Sequence, residues 1–385
     1  MDFSIPEELM QLKMETREFV NNQLEPFAEE VESKNQIPQH VIDKMKEKGY
    51  FGLTIPKEYG GKGIGKLGIC LISEELAKTH FAFADIISIN NGLGSRGLVL
   101  QGTEIQKKKY LRGLAKGEII SAFALTEPNA GSDAASISTS AERKGDEFVL
   151  NGLKHYITNA PIADIFIVMA VTDSRLKAKG GITAFVVEKE TPGLSIGSIH
   201  NTMGMRGSHQ GEVIFRDAVV PVENVIGKIG QGFTVALQTL EDGRIEVAAL
   251  AVGMADKLFE LSIEHAQKTL RSDKPLSESQ SVQWLLADMA TEIFAARSML
   301  YNTATKGDQG KSVHLEAVMC KLFASEVTGR VVDRALEIFG NEGYSKKSVV
   351  ERMCRDARIL RIFEGPSEIQ RIIIGRGLLK GGRTS

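Results

Sequence analysis

The 385-residue chain is predicted to fold as a mostly α protein with a small β domain set between two helical regions. Three textures along the chain lead there. Up to about residue 120, apolar residues recur at three- and four-residue spacing. From 121 to 228, short β-rich runs alternate with turn signals, and from 229 onward helical periodicity returns. The expected units are an N-terminal helical domain (1–120), a central β-barrel or sandwich domain (121–228) and a C-terminal helical bundle domain (229–385).

In the first region Phe19, Val20, Leu24, Phe27 and Val31 form one stripe between charged positions. Pro56 and the glycines of LTIPKEYGGKGIG break the pattern, so a loop is expected. GGKGIGKL comes close to a phosphate loop. Leu67, however, stands where a hydroxyl for magnesium belongs, and no buried strand precedes it. The run also lacks the third glycine of a dinucleotide fingerprint, and a flexible turn is the expectation.

In the second region EFVLNGL, IFIVMAV, ITAFVVE and EVIFRDAVV read as strands, separated by turns such as ERKGD, AKGG and ETPG. In the third, Val247, Ala251, Met254, Leu258 and Leu261 make a seam for packing long helices. Further helices are expected around 280–306, 313–339 and 367–380, with Trp284 in the core of its helix.

Composition excludes several function classes. Hydrophobic content of 42% and charged content of 25% describe an ordinary globular protein. A net charge of −2 offers no general attraction to nucleic acid or to an anionic membrane. Cys70, Cys320 and Cys354 form no CxxC pair and the histidines no HExxH, so no disulfide framework or metal site is expected. No apolar run approaches the ~20 residues of a membrane span. MDFSIPEELMQLKMETREFV reads neither as a signal peptide nor as a transit peptide. A cytoplasmic protein without membrane insertion is the expectation.

Two stretches could hold a planar ligand. Phe123-Ala-Leu-Thr-Glu-Pro-Asn-Ala-Gly-Ser-Asp133 joins a small apolar strand to a loop in which Thr126 and Ser132 offer hydroxyls and Gly131 permits close approach. Asn151-Gly-Leu-Lys-His-Tyr-Ile-Thr-Asn159 carries an aromatic and a hydroxyl that could stack on and bond a ring. A third stretch, RIFEGPSEIQR, sets Glu364 behind Ile362 and Phe363 on a Gly-Pro step. It reads either as a surface turn, with Glu364 solvated and Ser367 capping a helix, or as a base in a dry pocket.

ALTEPNAGSD, NGLKHYITNA, GMRGSHQGEVIF, LEDGRIEVAALAVG, EIFGNEGY, ERMCRDARI and FEGPSEIQR, in this order and spacing, resemble the acyl-CoA dehydrogenase family from about residue 5 to 380. The resemblance implies an N-terminal helical domain, a central β domain and a C-terminal four-helix bundle. It implies FAD, with the isoalloxazine ring held by Phe123, Leu125, Thr126, Ser132, Tyr156 and Thr158, and Tyr156 standing where many members have tryptophan.

Further FAD contacts implied are Arg271, Gln280, Glu337, Gly340 and Asn341, the last three from a neighbouring subunit, and Ser367 and Glu368 after the base. Ser132, Glu241, Arg244 and Gly365 would contact the acyl-CoA thioester and its pantetheine, and Glu364 would be the catalytic base. Family members usually carry an arginine where this chain has Thr269, so FAD is expected to be held weakly unless Arg271 supplies the charge.

The implied reaction is α,β-dehydrogenation of an acyl-CoA to the trans-2,3-enoyl-CoA. Electrons would pass to an electron-transferring flavoprotein from a homotetramer built as a dimer of dimers. An oxidase using O₂ and a non-catalytic assembly protein are the alternatives.

Overall fold

A computed structural model describes residues 5–381. The N-terminal region is helical: α1 (Glu7–Phe19), α2 (Ala28–Lys34), α3 (Gln39–Glu47), α4 (Lys66–Leu76), α5 (Phe81–Asn91), α6 (Arg96–Gln101) and α7 (Glu104–Lys116). Phe19, Val20, Leu24 and Val31 of the expected stripe are buried. The backbone between α1 and α2 widens into a π-helical turn over Val20–Leu24 and tightens at Pro26.

The loop before α4 is pinned rather than flexible. The N–H groups of Lys62, Gly63 and Ile64 donate to the carbonyls of Gly52, Ile55 and Leu53. At the start of α4, the N–H groups of Lys66 and Leu67 donate to the Asp308 carboxylate at 2.6 and 3.0 Å. The helix end that would attract a phosphate is thus already met by a protein anion.

The strands are β1 (Ser121–Ala124), β2 (Ser140–Lys144), β3 (Glu147–Thr158), β4 (Ile165–Val171), β5 (Ile182–Glu188), β6 (Leu194–Ile199), β7 (Gln210–Pro221) and β8 (Val225–Ile226). They pair in the order β6-β7-β3-β2-β4-β5-β8, with β1 added parallel to β4. The run IFIVMAV is apolar throughout because both faces of β4 are covered. Ile165, Ile167 and Met169 pack towards helical residues such as Leu111 and Val235, while Phe166, Val168 and Ala170 pack against Phe148 and Phe215.

α8 (Gly232–Lys268) leads to a small hairpin of β9 (Leu270–Arg271) and β10 (Lys274–Pro275). After it come α9 (Gln280–Asp308), α10 (His314–Phe339), α11 (Val349–Ala357) and α12 (Ser367–Leu379). One core joins the two helical regions: Phe81 and Phe83 of α5 share it with Leu250, Leu258, Leu300 and Val331. Trp284 departs from expectation. It lies on α9 but is 64% exposed, because the inward face of that helix is set by Met289, Ile293, Ala296 and Leu300.

Asn90 and Asn91, at the end of α5, join the helices to the sheet. Asn90 Oδ1 accepts from the N–H and hydroxyl of Ser121 at 3.1 and 3.0 Å, and its Nδ2 donates to the carbonyls of Phe51 and Leu114. Asn91 Nδ2 donates to the carbonyls of Tyr50 and Ile87. Replacing Asn90 by Ala strands buried polar groups at ~1–3 kcal/mol each. Asn90→Ala is therefore expected to lower unfolding stability by about 3 kcal/mol in a denaturant titration; a loss below about 1 kcal/mol would show that Asn90 does not carry this junction.

Candidate active site

Glu364 sits on the turn that precedes α12, with φ of 53°, followed by Gly365 at 92°. A left-handed glutamate is strained and needs support from its surroundings. The support comes through the backbone. Gln370 Nε2 donates to the carbonyls of Glu364 and Gly365 at 3.1 and 2.8 Å, and Lys321 Nζ donates to the Gly365 carbonyl at 2.7 Å.

The side chain is treated in the opposite way. Glu364 Oε2 is shielded from solvent and has no hydrogen-bond partner. Burial pushes the carboxyl up to about 7, against the opposing pull of Lys321 and Arg244; the nearby Asp85 adds to the rise. Of the two readings of this stretch, the surface turn fails. Ser367 does not cap α12, and its hydroxyl donates to Glu326 Oε1 at 2.6 Å. The dryness does not come from Ile362, which is 47% exposed. It comes from α8, where Gly243 lies so close that a Cβ there would stand 2.3 Å from Glu364 Oε2.

One residue further on α8, Arg244 is 4% exposed and leaves Nε and Nη1 buried without partners. These are donors without an acceptor beside a carboxyl without a donor, an arrangement suited to a polar ligand between or beside them. Glu241 pairs with His314 at 2.9 Å. Its neighbour Asp242, which the sequence reading passed over, is gripped by Lys66 and Arg96. Asp85 on α5, bonded to the Ser208 hydroxyl, is raised to about 6 by burial, and Glu246 on α8 to about 8 by burial.

The planar-ligand stretches come together on the sheet. A bulge in β3 between Lys154 and Ile157 gives Tyr156 a φ of 54° and turns its ring outward, 58% exposed. Phe123, Thr126 and Thr158 are half-buried, Leu125 is buried, and Ser132 and Gly131 lie exposed on the loop. An aromatic platform with hydroxyls around it, and open space at Gly131, fits a flat heteroaromatic ring such as a flavin. His155 and His200 both lie 4.4 Å from the Tyr156 ring.

The loop is braced by a pair that sequence reasoning missed. Lys154 is fully buried and its Nζ donates to Glu127 Oε1 at 2.7 Å and to the Leu125 carbonyl at 3.0 Å. Glu127 also accepts from Ser138 and Thr139. Burial alone would raise its pKa, but Lys154 and these donors hold it down at about 2. A signal was present: Lys154 shares strand parity with Phe148 and Leu150, the buried face of β3.

Of the other residues the resemblance implies, Gly365 and Ser367 belong to the Glu364 turn and Arg244 faces it, while the rest do not join it. Glu368 is exposed, as are Arg271, Gln280, Glu337, Gly340 and Asn341. The corner after α8 meets the end of α10 through His265, stacked on Phe339 at 4.0 Å, with Glu342 3.7 Å away. Thr269 bonds His265 through its hydroxyl, and Arg271 extends on the hairpin.

The chain matches the models of the acyl-CoA dehydrogenase N-terminal domain over residues 6–118, middle domain over 122–218 and C-terminal domain over 230–379. It belongs to the acyl-CoA dehydrogenase family. It is 42% identical to the acryloyl-CoA reductase (NADH) of Anaerotignum propionicum, over 99% of this chain and 96% of that protein. It is 38% identical to the CarC subunit of the caffeyl-CoA reductase–Etf complex of Acetobacterium woodii, over 94% and 96%. The structure of butyryl-CoA dehydrogenase from Megasphaera elsdenii superposes with a TM-score of 0.95 at 38% identity, covering 98% of this chain and all of that one.

Because Gly243 abuts the carboxyl, Gly243→Ala is expected to push the Glu364 side chain aside without unfolding the protein. Thioester-dependent flavin reduction should fall at least tenfold with an unchanged melting curve; near-normal reduction would mean that the carboxyl does not need this space.

Proposed function

We propose that the protein is a FAD-dependent acyl-CoA dehydrogenase in which Glu364 removes the α-proton of a saturated acyl-CoA and leaves the trans-2,3-enoyl-CoA. The carrying observation is the carboxyl on a rigid turn whose Oε2 is buried and unpartnered. A thioester α-proton is weakly acidic, and a carboxylate with no donors and a raised pKa is a stronger base for it. The Glu364 carboxylate takes the proton from Cα while the backbone N–H of residue 364 offers a hydrogen bond to the thioester oxygen. The unpartnered guanidinium atoms of Arg244 favour the negative charge that develops there. Phe123, Leu125, Thr126, Tyr156 and Thr158 would hold FAD, which would supply the two-electron acceptor for the β-hydride.

The protein is read as a cytoplasmic homotetramer, a dimer of dimers, that passes electrons to an electron-transferring flavoprotein. The likeness to a subunit of an Etf complex supports that partner. Trp284, Phe294 and Leu379, at 64%, 73% and 90% exposure, support burial of the bundle's outer surface between copies. The likeness to a reductase favours a second direction, in which the protonated Glu364 gives its proton to Cα of an enoyl-CoA while reduced FAD would supply the hydride for Cβ. Acyl- and enoyl-CoA panels, assayed anaerobically with the oxidised and reduced protein, decide the direction.

Glu364→Gln keeps the shape and removes the base. Flavin reduction by the substrate should fall by roughly 10²–10⁴ while FAD stays bound; reduction at near the parent rate would sink the assignment. The ionised carboxylate is the working base, so the parent's reduction rate should rise with pH through a midpoint near 7. A midpoint near the ordinary glutamate value would mean the carboxyl is solvated.

At the hairpin, Thr269→Arg is expected to slow FAD release about 10-fold or more, the effect of an added charged hydrogen bond of ~1.5–3 kcal/mol. Arg271→Ala should speed release only if Arg271 already meets the pyrophosphate. Unchanged release in both variants would remove this corner from the FAD site.

A further inference from the structure

Lys321, which bonds the Gly365 carbonyl, is among the largest fully buried side chains, at 0% exposure. It lies on α10 in the seam with Ala317, Val318, Ala324 and Ser325, where an aliphatic residue would fill the same space without the cost of burying an ammonium. Among the described residues its single hydrogen bond runs to the carbonyl of Gly365, immediately after Glu364. No ion pair within 4 Å joins it to Glu364 among the described residues, so the carboxyl feels its charge without being bonded by it.

The charged groups around Glu364 come from several elements. Lys321 and Glu326 stand on α10, Arg244 and Glu246 on α8, Asp85 on α5 and Glu368 on α12. Arg361, just before the turn, is occupied with Glu326 at 3.7 Å. Arg244 and Lys321 are the cations that act on Glu364, and only Lys321 also holds its backbone.

We propose that Lys321 is a positioning residue for the base: its ammonium locks the strained Glu364-Gly365 turn through the Gly365 carbonyl and sets the proton affinity of the Glu364 carboxyl through space. The two effects serve opposite ends. A donor placed directly on the carboxylate would weaken it as a base; a donor on the next carbonyl fixes its location and leaves its lone pairs free. The positive charge of Lys321 acts to keep the carboxyl ionised near neutrality, against burial and the acid Asp85, which favour its protonated form. Burial lowers Lys321 to about 8, still above the about 7 of Glu364, so the lysine is mostly charged at the point where the carboxyl is half ionised. Gln370, which grips the same Gly365 carbonyl and that of Glu364 without charge, supplies the comparison.

This inference rests on Glu364 being the base, and the test separates the two. The Glu364 carboxyl is titrated in the FAD-loaded protein by pH-difference infrared spectroscopy at the protonated-carboxyl stretch, with Glu364→Gln as the blank, alongside the pH profile of thioester-dependent flavin reduction. Lys321→Met should move both midpoints upward by about one unit or more, the effect of removing an opposite charge at short range, with flavin content unchanged. Gln370→Met should slow reduction while leaving the midpoints in place.

An infrared midpoint that stays put in Lys321→Met, or moves equally in Gln370→Met, overturns the proposal. So does loss of fold in both Lys321→Met and Lys321→Gln, which would assign Lys321 to packing alone. If the infrared midpoint moves but the pH profile does not follow it, Lys321 tunes Glu364 as proposed and it is the base assignment that fails.

Discussion

The site depends on keeping a carboxyl buried without giving it a hydrogen bond. The protein contains both solutions to burying a glutamate, which makes the contrast internal. Glu127 is saturated by Ser138, Thr139 and Lys154 and is held as a carboxylate at about 2. Glu364 receives no donor on Oε2 and is raised to about 7. The first arrangement makes an anchor and the second makes a base, from the same residue type. An unbonded carboxyl cannot hold itself in place, so its turn must be fixed from the backbone side. Lys321 and Gln370 do that, and Gly243 leaves the space the side chain occupies.

A site assembled from α8, α10, the α12 turn and a separate sheet needs those parts to keep register, and the loop between β6 and β7 provides it. The Met205 N–H donates to Asp356 Oδ1 at 2.6 Å, and Arg355 reaches the Met203 carbonyl. Arg206 donates to the carbonyl of Glu32, and Gly207 N–H to Asn35 Oδ1. Arg355 closes the ring with Glu32 at 2.8 Å. This clasp joins the β domain to α2 and α11, and Ser208 carries it on to Asp85 beside the base. Two of the sequence motifs that mark the family, GMRGSHQGEVIF and ERMCRDARI, therefore meet each other.

Much of this was legible in the sequence where a period or a motif repeats over several residues. In the seam Val247, Ala251, Met254 and Leu258 are buried as the spacing required, while Leu261 at its end is only half-buried, and IFIVMAV is a strand covered on both faces. The acid on its Gly-Pro step raised the right question, since neither residue suits a regular helix. What could not be read was the partner of each lone charge. Lys154 and Lys321 look like solvated lysines one at a time, and only strand parity and helical phase hint otherwise. Trp284 was misplaced because a large aromatic usually marks a core, whereas here it sits on the outer face of α9.

The central claim, that Glu364 acts on the α-carbon, can be measured apart from any redox step. A CoA thioester carrying α-hydrogens but no β-hydrogen cannot lose a hydride, yet it can still exchange its α-proton with the base. Incubated in D₂O with the FAD-loaded protein, it should take up deuterium at the α-carbon, with a rate that rises through pH about 7. Absence of α-exchange in a preparation that still reduces its flavin with a saturated acyl-CoA would contradict the account.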